Sequence, residues 1–209
     1  MKRYDRAYYD RWYHGARSRV RTGSELRRQV GLVVSVAEYV LERPIRTVLD
    51  VGCGEGAWQP VLRRLRPGVR YRGIDSSRYV VRRFGARRHI EHGSLAGLDE
   101  QVGREGVDVI LCADVLHYVS AREMEQGLAA VRVRLGGVAY LPVFTSADGF
   151  WGDGVGWYRR APSYYRRLFA RMGLVPCGLH CYAAGPTMAR LAVLERVGNE
   201  TCEGGRIEE

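Results

Sequence analysis

Thr47-Val48-Leu49-Asp50-Val51-Gly52-Cys53-Gly54-Glu55-Gly56-Ala57 is the stretch on which the fold turns. Apolar and β-branched residues surround one acid, and three glycines then fall at alternate positions. The run predicts a buried parallel strand that ends in a backbone-only turn and opens a helix. Glycine in such a turn lets main-chain groups approach a ligand with no Cβ in the way. A dinucleotide fingerprint spaces its glycines G-x-G-x-x-G, whereas these run G-x-G-x-G, with Ala57 where the third glycine of that fingerprint would stand.

Outward from this stretch, strand and helix signals alternate. Thr22 and Glu25 form a capping box before Leu26, Val30, Val33, Val34, Ala37, Val40 and Leu41, a helical stripe that stops at Pro44. Strands are expected over 46–51, 71–75, 89–92, 107–112 and 138–144, with helices over 57–66, 77–86, 121–135 and 162–172. Two last strands, 174–182 and 187–195, are placed on either side of Gly185-Pro186 and made antiparallel neighbours. Alternating βα units call for a parallel sheet covered on both faces. The fold class expected is α/β, Rossmann-like and doubly wound. Its sheet has seven strands, mostly parallel with an antiparallel last strand, and helices lie on both faces.

The glycine-rich run resembles motif I of the class I S-adenosylmethionine (AdoMet) methyltransferases, and the likeness extends over roughly residues 22–195. It implies that Asp50, Gly52, Cys53 and Gly54 sit beside the methionine part of AdoMet, with Gly56 at the helix entry. Asp75 closes the second strand, and a carboxylate there can accept from two vicinal ribose hydroxyls at once; the alternative is an acid that caps the next helix. Ser76 follows it. Glu91-His92-Gly93-Ser94-Leu95 puts Ser94 where the family often has an acid for the adenine amine, with Leu95 as an apolar face for the ring. Cys112-Ala113-Asp114-Val115-Leu116-His117-Tyr118 resembles motif IV and brings Ala113, Asp114, His117 and Tyr118 towards the transferable methyl. Transfer from a sulfonium is an in-line displacement that positioning and exclusion of water can drive. His117 is then either the proton acceptor or a wall of the pocket, with Asp114 and Tyr118 the other polar candidates.

Two aromatic regions are expected to cover the site. Residues 1–21 carry Tyr4, Tyr8, Tyr9, Trp12 and Tyr13, and the segment resembles the family's entry segment over AdoMet; Tyr13 is the cofactor contact expected from it. The loop after the fifth strand carries Trp151, Trp157 and Tyr158 as acceptor contacts, with Arg159 and Arg160 suited to an anionic group. No N-P-P-Y-type motif follows the fourth strand. Cys177, His180 and Cys181 lack a second ligand pair, so no metal is expected.

At 209 residues, 46% hydrophobic and 27% charged, the chain suits one soluble domain, taken as 1–197 with a polar tail over 198–209. The beginning lacks the apolar centre of a signal peptide and no run is long enough to span a bilayer, so a cytoplasmic protein without membrane contact is expected. Five cysteines fit reduced thiols better than a disulfide framework. The net charge is +10, with Lys2 the one lysine. The arginine pairs fall in separate elements, which reads as solvated faces and base composition more than one binding stripe. The function expected is AdoMet-dependent methylation of a small molecule by a monomer or homodimer. An RNA methyltransferase and an AdoMet-binding protein without catalysis are the alternatives.

Overall fold

A computed structural model describes residues 4–15, 22–149 and 152–191. Seven strands form one sheet: β1 (Thr47–Val51), β2 (Arg70–Asp75), β3 (Ile90–His92), β4 (Val107–Leu111), β5 (Leu135–Tyr140), β6 (Val175–Gly178) and β7 (Cys181–Ala183). The spatial order is β3-β2-β1-β4-β5-β7-β6. The first five pair in parallel, and β7 runs antiparallel to both β5 and β6. The helices are α1 (Arg6–Tyr9), α2 (Gly23–Leu41), α3 (Trp58–Leu65), α4 (Arg78–Arg88), α5 (Leu98–Gln101), α6 (Ala121–Arg134) and α7 (Pro162–Arg171). The chain direction reverses its lateral course between β1 and β4, and in open α/β sheets that switch point is where ligands bind.

Side chains of the central strands alternate between two cores, as the period of two requires. Val48, Val109 and Leu111 face α2 and α3, packing with Val30, Val34, Trp58 and Leu62. Leu49, Val51, Ile110 and Cys112 face the other layer, with Leu98, Met124, Leu128 and Leu168. Helix α2 starts at the capping box of Thr22 and Glu25, in which the Thr22 hydroxyl accepts from the Glu25 amide and the Glu25 carboxylate accepts from the Thr22 amide at 2.6 Å. A second box, Ser120 with Glu123, opens α6. On α6, a Cβ on Gly127 would lie 2.2 Å from Leu95 Cγ, so only glycine lets the helix come this close to the chain after β3.

The expected hairpin about Gly185-Pro186 is not where the chain turns. Leu179 and His180, at φ 49° and 64°, make the reversal between β6 and β7. Gly185–Arg190 is a 3₁₀ turn, so the strand expected over 187–195 does not form in its described part. Its remainder and the tail from 198 lie outside the described residues. Two non-glycine residues in the left-handed region are unfavourable locally, and the Leu141 amide bonded to the His180 carbonyl at 2.9 Å helps hold them there.

At the opposite end of the sheet, Asp108 ties three segments together. It accepts both guanidinium arms of Arg43, at 3.0 and 2.7 Å, and the amides of Arg46 and Thr47 at 2.6 and 3.3 Å. Burial pushes this carboxyl up, but the bonds from Arg43 and the two amides outweigh it and hold its pKa below the ordinary value. A depressed carboxylate stabilises the fold above the ordinary carboxylate range and loses that contribution as pH falls through its folded pKa. Asp108→Ala, which leaves Arg43 and two amides without their acceptor, is expected to cost about 2–4 kcal/mol in urea unfolding at pH 7. The difference from wild type should shrink as the pH is lowered beneath about 4.

Candidate active site

The turn after β1 places Gly52, Gly54 and Gly56 at φ 71°, 53° and 68°, a region costly to residues with a Cβ. At Gly52 the space is also closed, because a Cβ would stand 2.3 Å from Val115 Cγ2. The turn is stitched to β2. The amides of Gly52 and Cys53 donate to the Ile74 carbonyl at 2.7 and 3.2 Å, and the Gly54 amide donates to Asp75 Oδ2 at 2.7 Å. Asp75 Oδ1 accepts from the Ser77 amide at 2.8 Å, and Ser77 caps α4. Burial raises the Asp75 pKa, while the Ser77 and Gly54 amides and His92 act against it. The nearly buried carboxylate thus uses one lone pair on each oxygen and keeps others for a ligand. Asp50, inside β1, accepts from the Tyr71 hydroxyl at 2.7 Å and is buried.

The chain over 4–14 lies across this turn. Tyr9 is 3% exposed, its ring stacked on Tyr79 with centroids 5.8 Å apart, and a Cβ on Gly54 would meet its Cε1 at 3.5 Å. Tyr4, Tyr8 and Tyr13 surround it in edge and tilted contacts. Tyr13 itself is 41% exposed, and Tyr9 is the ring that meets the Gly54 position. Two polar ties fix the segment. The Ser77 hydroxyl donates to the Tyr4 carbonyl at 2.5 Å. His14 bridges Asp10, at 3.0 Å from Nδ1, and Glu55, at 2.9 Å from Nε2. Glu55 lies within the glycine turn, and its other oxygen, Oε1, is buried without a partner among the described residues.

On the far side of the switch point, Asp114 follows β4 at φ 60°, its amide bonded to the Pro142 carbonyl at 3.1 Å. It borders a cavity of about 400 Å³ walled by Tyr140, Pro142 and Phe144, by Glu25 and Gln29 of α2, and by His180 of the β6–β7 turn. A second cleft, about 620 Å³, runs between Tyr8, Arg11 and Trp12 and the loop Gly152–Val155. His117 is 1% exposed; its Nδ1 accepts from the Phe144 amide at 3.4 Å and its carbonyl from the Tyr158 amide at 2.8 Å. The Tyr118 hydroxyl donates to the Asp153 carbonyl at 2.6 Å. Burial, then Asp153, raises the Tyr118 pKa far above that of a free phenol.

The other expected contacts differ in burial. Leu95 is buried in the core against Gly127, so it presents no open face to a ring. Ser94 is exposed and its hydroxyl accepts from the Gly97 amide at 3.2 Å. Ser76 is exposed beside Asp75, and Ala113 and Cys53 are half-buried. Burial also raises the Cys53 thiol, which stays protonated. Trp151 lies outside the described residues. Trp157 is half-buried under Arg159, and Tyr158 is 47% exposed under Arg160. Arg160 donates to the carbonyls of Leu116 and Val119, so it fastens the loop rather than waiting for an anion. Glu55, Gln29 and His180 were not foreseen. Glu55 is a single residue between two glycines, and His180 comes to the cavity through the turn that follows Gly178.

Residues 49–137 match the family described as "Methyltransferase domain". This stretch, under half of the chain, is similar to that family, and the sheet has the Rossmann-like order of the class I fold. Among solved structures, an O-methyltransferase family protein from Burkholderia thailandensis shares 18% identity at a TM-score of 0.51, over 78% of this chain and 58% of its own. The plantazolicin methyltransferase BamL, in complex with a desmethyl plantazolicin analog and SAH, shares 14% at 0.58, over 73% and 65%. Magnesium protoporphyrin IX methyltransferase (ChlM) from Synechocystis PCC 6803, with bound SAH, shares 20% at 0.55, over 82% and 86%. At these identities the likeness shows the fold. The chain spans less than two thirds of the length of the first two. No curated protein matches the chain. No described helix is long and apolar enough to cross a membrane.

His14 fastens the segment over the glycine turn. Bonds to Asp10 and then Glu55 raise its pKa above the ordinary value of 6.5. A raised histidine stabilises the docked segment at low pH, and that contribution is lost as pH rises through the folded pKa. Amide hydrogen exchange over residues 4–14, corrected for intrinsic rates, should show protection at pH 6 that declines above neutrality. His14→Ala should be unprotected at both.

Proposed function

We propose that this protein is an AdoMet-dependent methyltransferase whose acceptor is a small molecule. One observation carries the reading: a buried carboxylate, Asp75, closes β2 and grips the glycine turn through the Gly54 amide, at the switch point of a class I sheet. The groups there suit AdoMet. Asp75 has spare lone pairs for the two ribose hydroxyls, and the buried, unpartnered Glu55 Oε1 suits a cationic group such as the ammonium of the methionine part. The amides of Gly52, Cys53, Gly54 and Gly56 are spent inside the protein, so side chains and carbonyls, not these amides, would receive the ligand. AdoMet supplies a methyl on a sulfonium, open to direct displacement.

The chain's part is to hold and exclude. Tyr9 and its neighbours over 4–14 would keep water from the glycine turn. The 400 Å³ cavity beside Asp114 would take the acceptor, its size within the range of small-molecule sites. Tyr140 and Phe144 would stack or pack against it, and Asp114 and His180 would orient its polar group. His117 is assigned to architecture: its ring joins Phe144 to the turn before α6, and its carbonyl anchors Tyr158. Tyr118, bonded to Asp153, fixes the loop beside the second cleft.

Transfer of labelled methyl from AdoMet to a panel of phenols, carboxylates and amines tests the activity, and absence of any product would remove it. Asp75→Ala should weaken S-adenosylhomocysteine about 100-fold in calorimetry, the loss of two charged hydrogen bonds. Unchanged affinity would take the ribose away from Asp75. His117→Ala should lower thermal stability and leave S-adenosylhomocysteine affinity within about threefold of wild type.

A further inference from the structure

Residues 58–90 hold ten arginines and a single acid, the buried Asp75, so this stretch supplies +9 of the chain's net +10. A bias of base composition would spread the charge; outside the stretch, bases and acids nearly balance. The fold then gathers it. Helices α3 and α4 are brought near one another where Arg63 of α3 meets His89, the C-cap of α4, at 3.0 Å and where the Arg88 stem packs on the Gly56 position just before α3.

Outside the stretch, described ion pairs include Arg43 with Asp108, Arg134 with Asp99, Arg171 with Glu125 and Arg190 with Glu42. Within the stretch, Arg66 and Arg72 are paired in this way, with Glu38 and Glu91, and Arg88 donates to the Glu55 carbonyl. The remaining seven, Arg63, Arg64, Arg70, Arg78, Arg82, Arg83 and Arg87, are exposed and meet no carboxylate among the described residues. On α4, Arg78 and Arg82, and again Arg83 and Arg87, stand one turn apart, roughly 6 Å along the axis. Like charges at that spacing oppose the helix, and α4 carries no acid to relieve them.

We propose that the outer face of α3 and α4 is a docking surface for the phosphate backbone of a nucleic acid. Guanidinium forks match phosphate oxygens, and a row of them neutralises a polymer whose charges recur every few ångströms. Trp58 and Phe84 are buried and Tyr79 is half-buried, so these helices present no exposed aromatic ring on which a base could stack, and the contact would not read sequence. A membrane would want apolar anchors among the charges, and on these two helices Leu65 is the one large apolar side chain that stands exposed. The arginines of this face line neither cavity of the candidate site, so the surface holds a polymer without using the acceptor's residues, and the proposal stands whether or not the acceptor is a small molecule.

Fluorescence anisotropy of the full chain with a labelled RNA of about 20 nucleotides in mixed sequence tests this, repeated over a salt series. Five contacts from Arg63, Arg64, Arg82, Arg83 and Arg87 predict a log–log salt slope of roughly −3.5 on a single strand. Changing these five to Ala should weaken binding at least 30-fold and flatten the slope, whereas Arg122→Ala with Arg166→Ala and Arg167→Ala on the opposite layer should leave it unchanged. S-adenosylhomocysteine affinity reports whether each variant is folded. If the fivefold variant is not, Arg82→Gln with Arg83→Gln should still reduce the slope by roughly 1.4. The proposal is overturned if wild type does not bind RNA at low salt, if the fivefold variant binds as wild type does, or if phosphatidylglycerol vesicles are bound and RNA is not.

Discussion

The hydrogen bond from the Gly54 amide to Asp75 is the constraint on which the rest of the site depends. It joins the turn after β1 to the end of β2 and so fixes both halves of the crevice against each other. Three left-handed glycines make the turn tight enough to reach, and Ser77 supplies the second amide that keeps the carboxylate pointed back at it. The same residue then caps α4 and reaches Tyr4, so a few polar contacts connect the strand end, the following helix and the covering segment. A carboxylate held by two amides can stay buried without a cation, because donors inside the protein replace part of its water.

Much of this was legible from the residues. Glycines at alternate positions after an apolar run announce a turn, and an acid one βα unit later announces its partner. The capping box of Thr22 and Glu25 and the stripe behind it marked α2 to within a residue. Strands β1 and β4 are near-continuous buried runs with sharp ends, whereas β2 and β3 carry charged residues and are legible only from the alternation of strands and helices. The last hairpin was misplaced because Gly185-Pro186 looks like a turn by composition, while the real one uses Leu179 and His180, whose strained backbone is set by pairing with β5 and not by local preference.

Side-chain neighbours were harder. Leu95 read as a ring contact but belongs to the core, a consequence of how near Gly127 lets α6 approach. Arg160 read as an anion site, and the structure has it donating to two carbonyls that fasten the loop. The arginine pairs of α3 and α4 fall in one contiguous stretch, but which of them an acid elsewhere in the chain answers is set by the fold, as with Arg66 and Glu38. His14 and Glu55, 41 residues apart, meet for the same reason.

A crystal structure of the protein with S-adenosylhomocysteine tests the central claim most directly. The account predicts both ribose hydroxyls within hydrogen-bonding distance of Asp75, the glycine turn unchanged, and the thioether sulfur directed towards Asp114. A ligand seated elsewhere on the molecule, or a ribose that leaves Asp75 untouched, would contradict it.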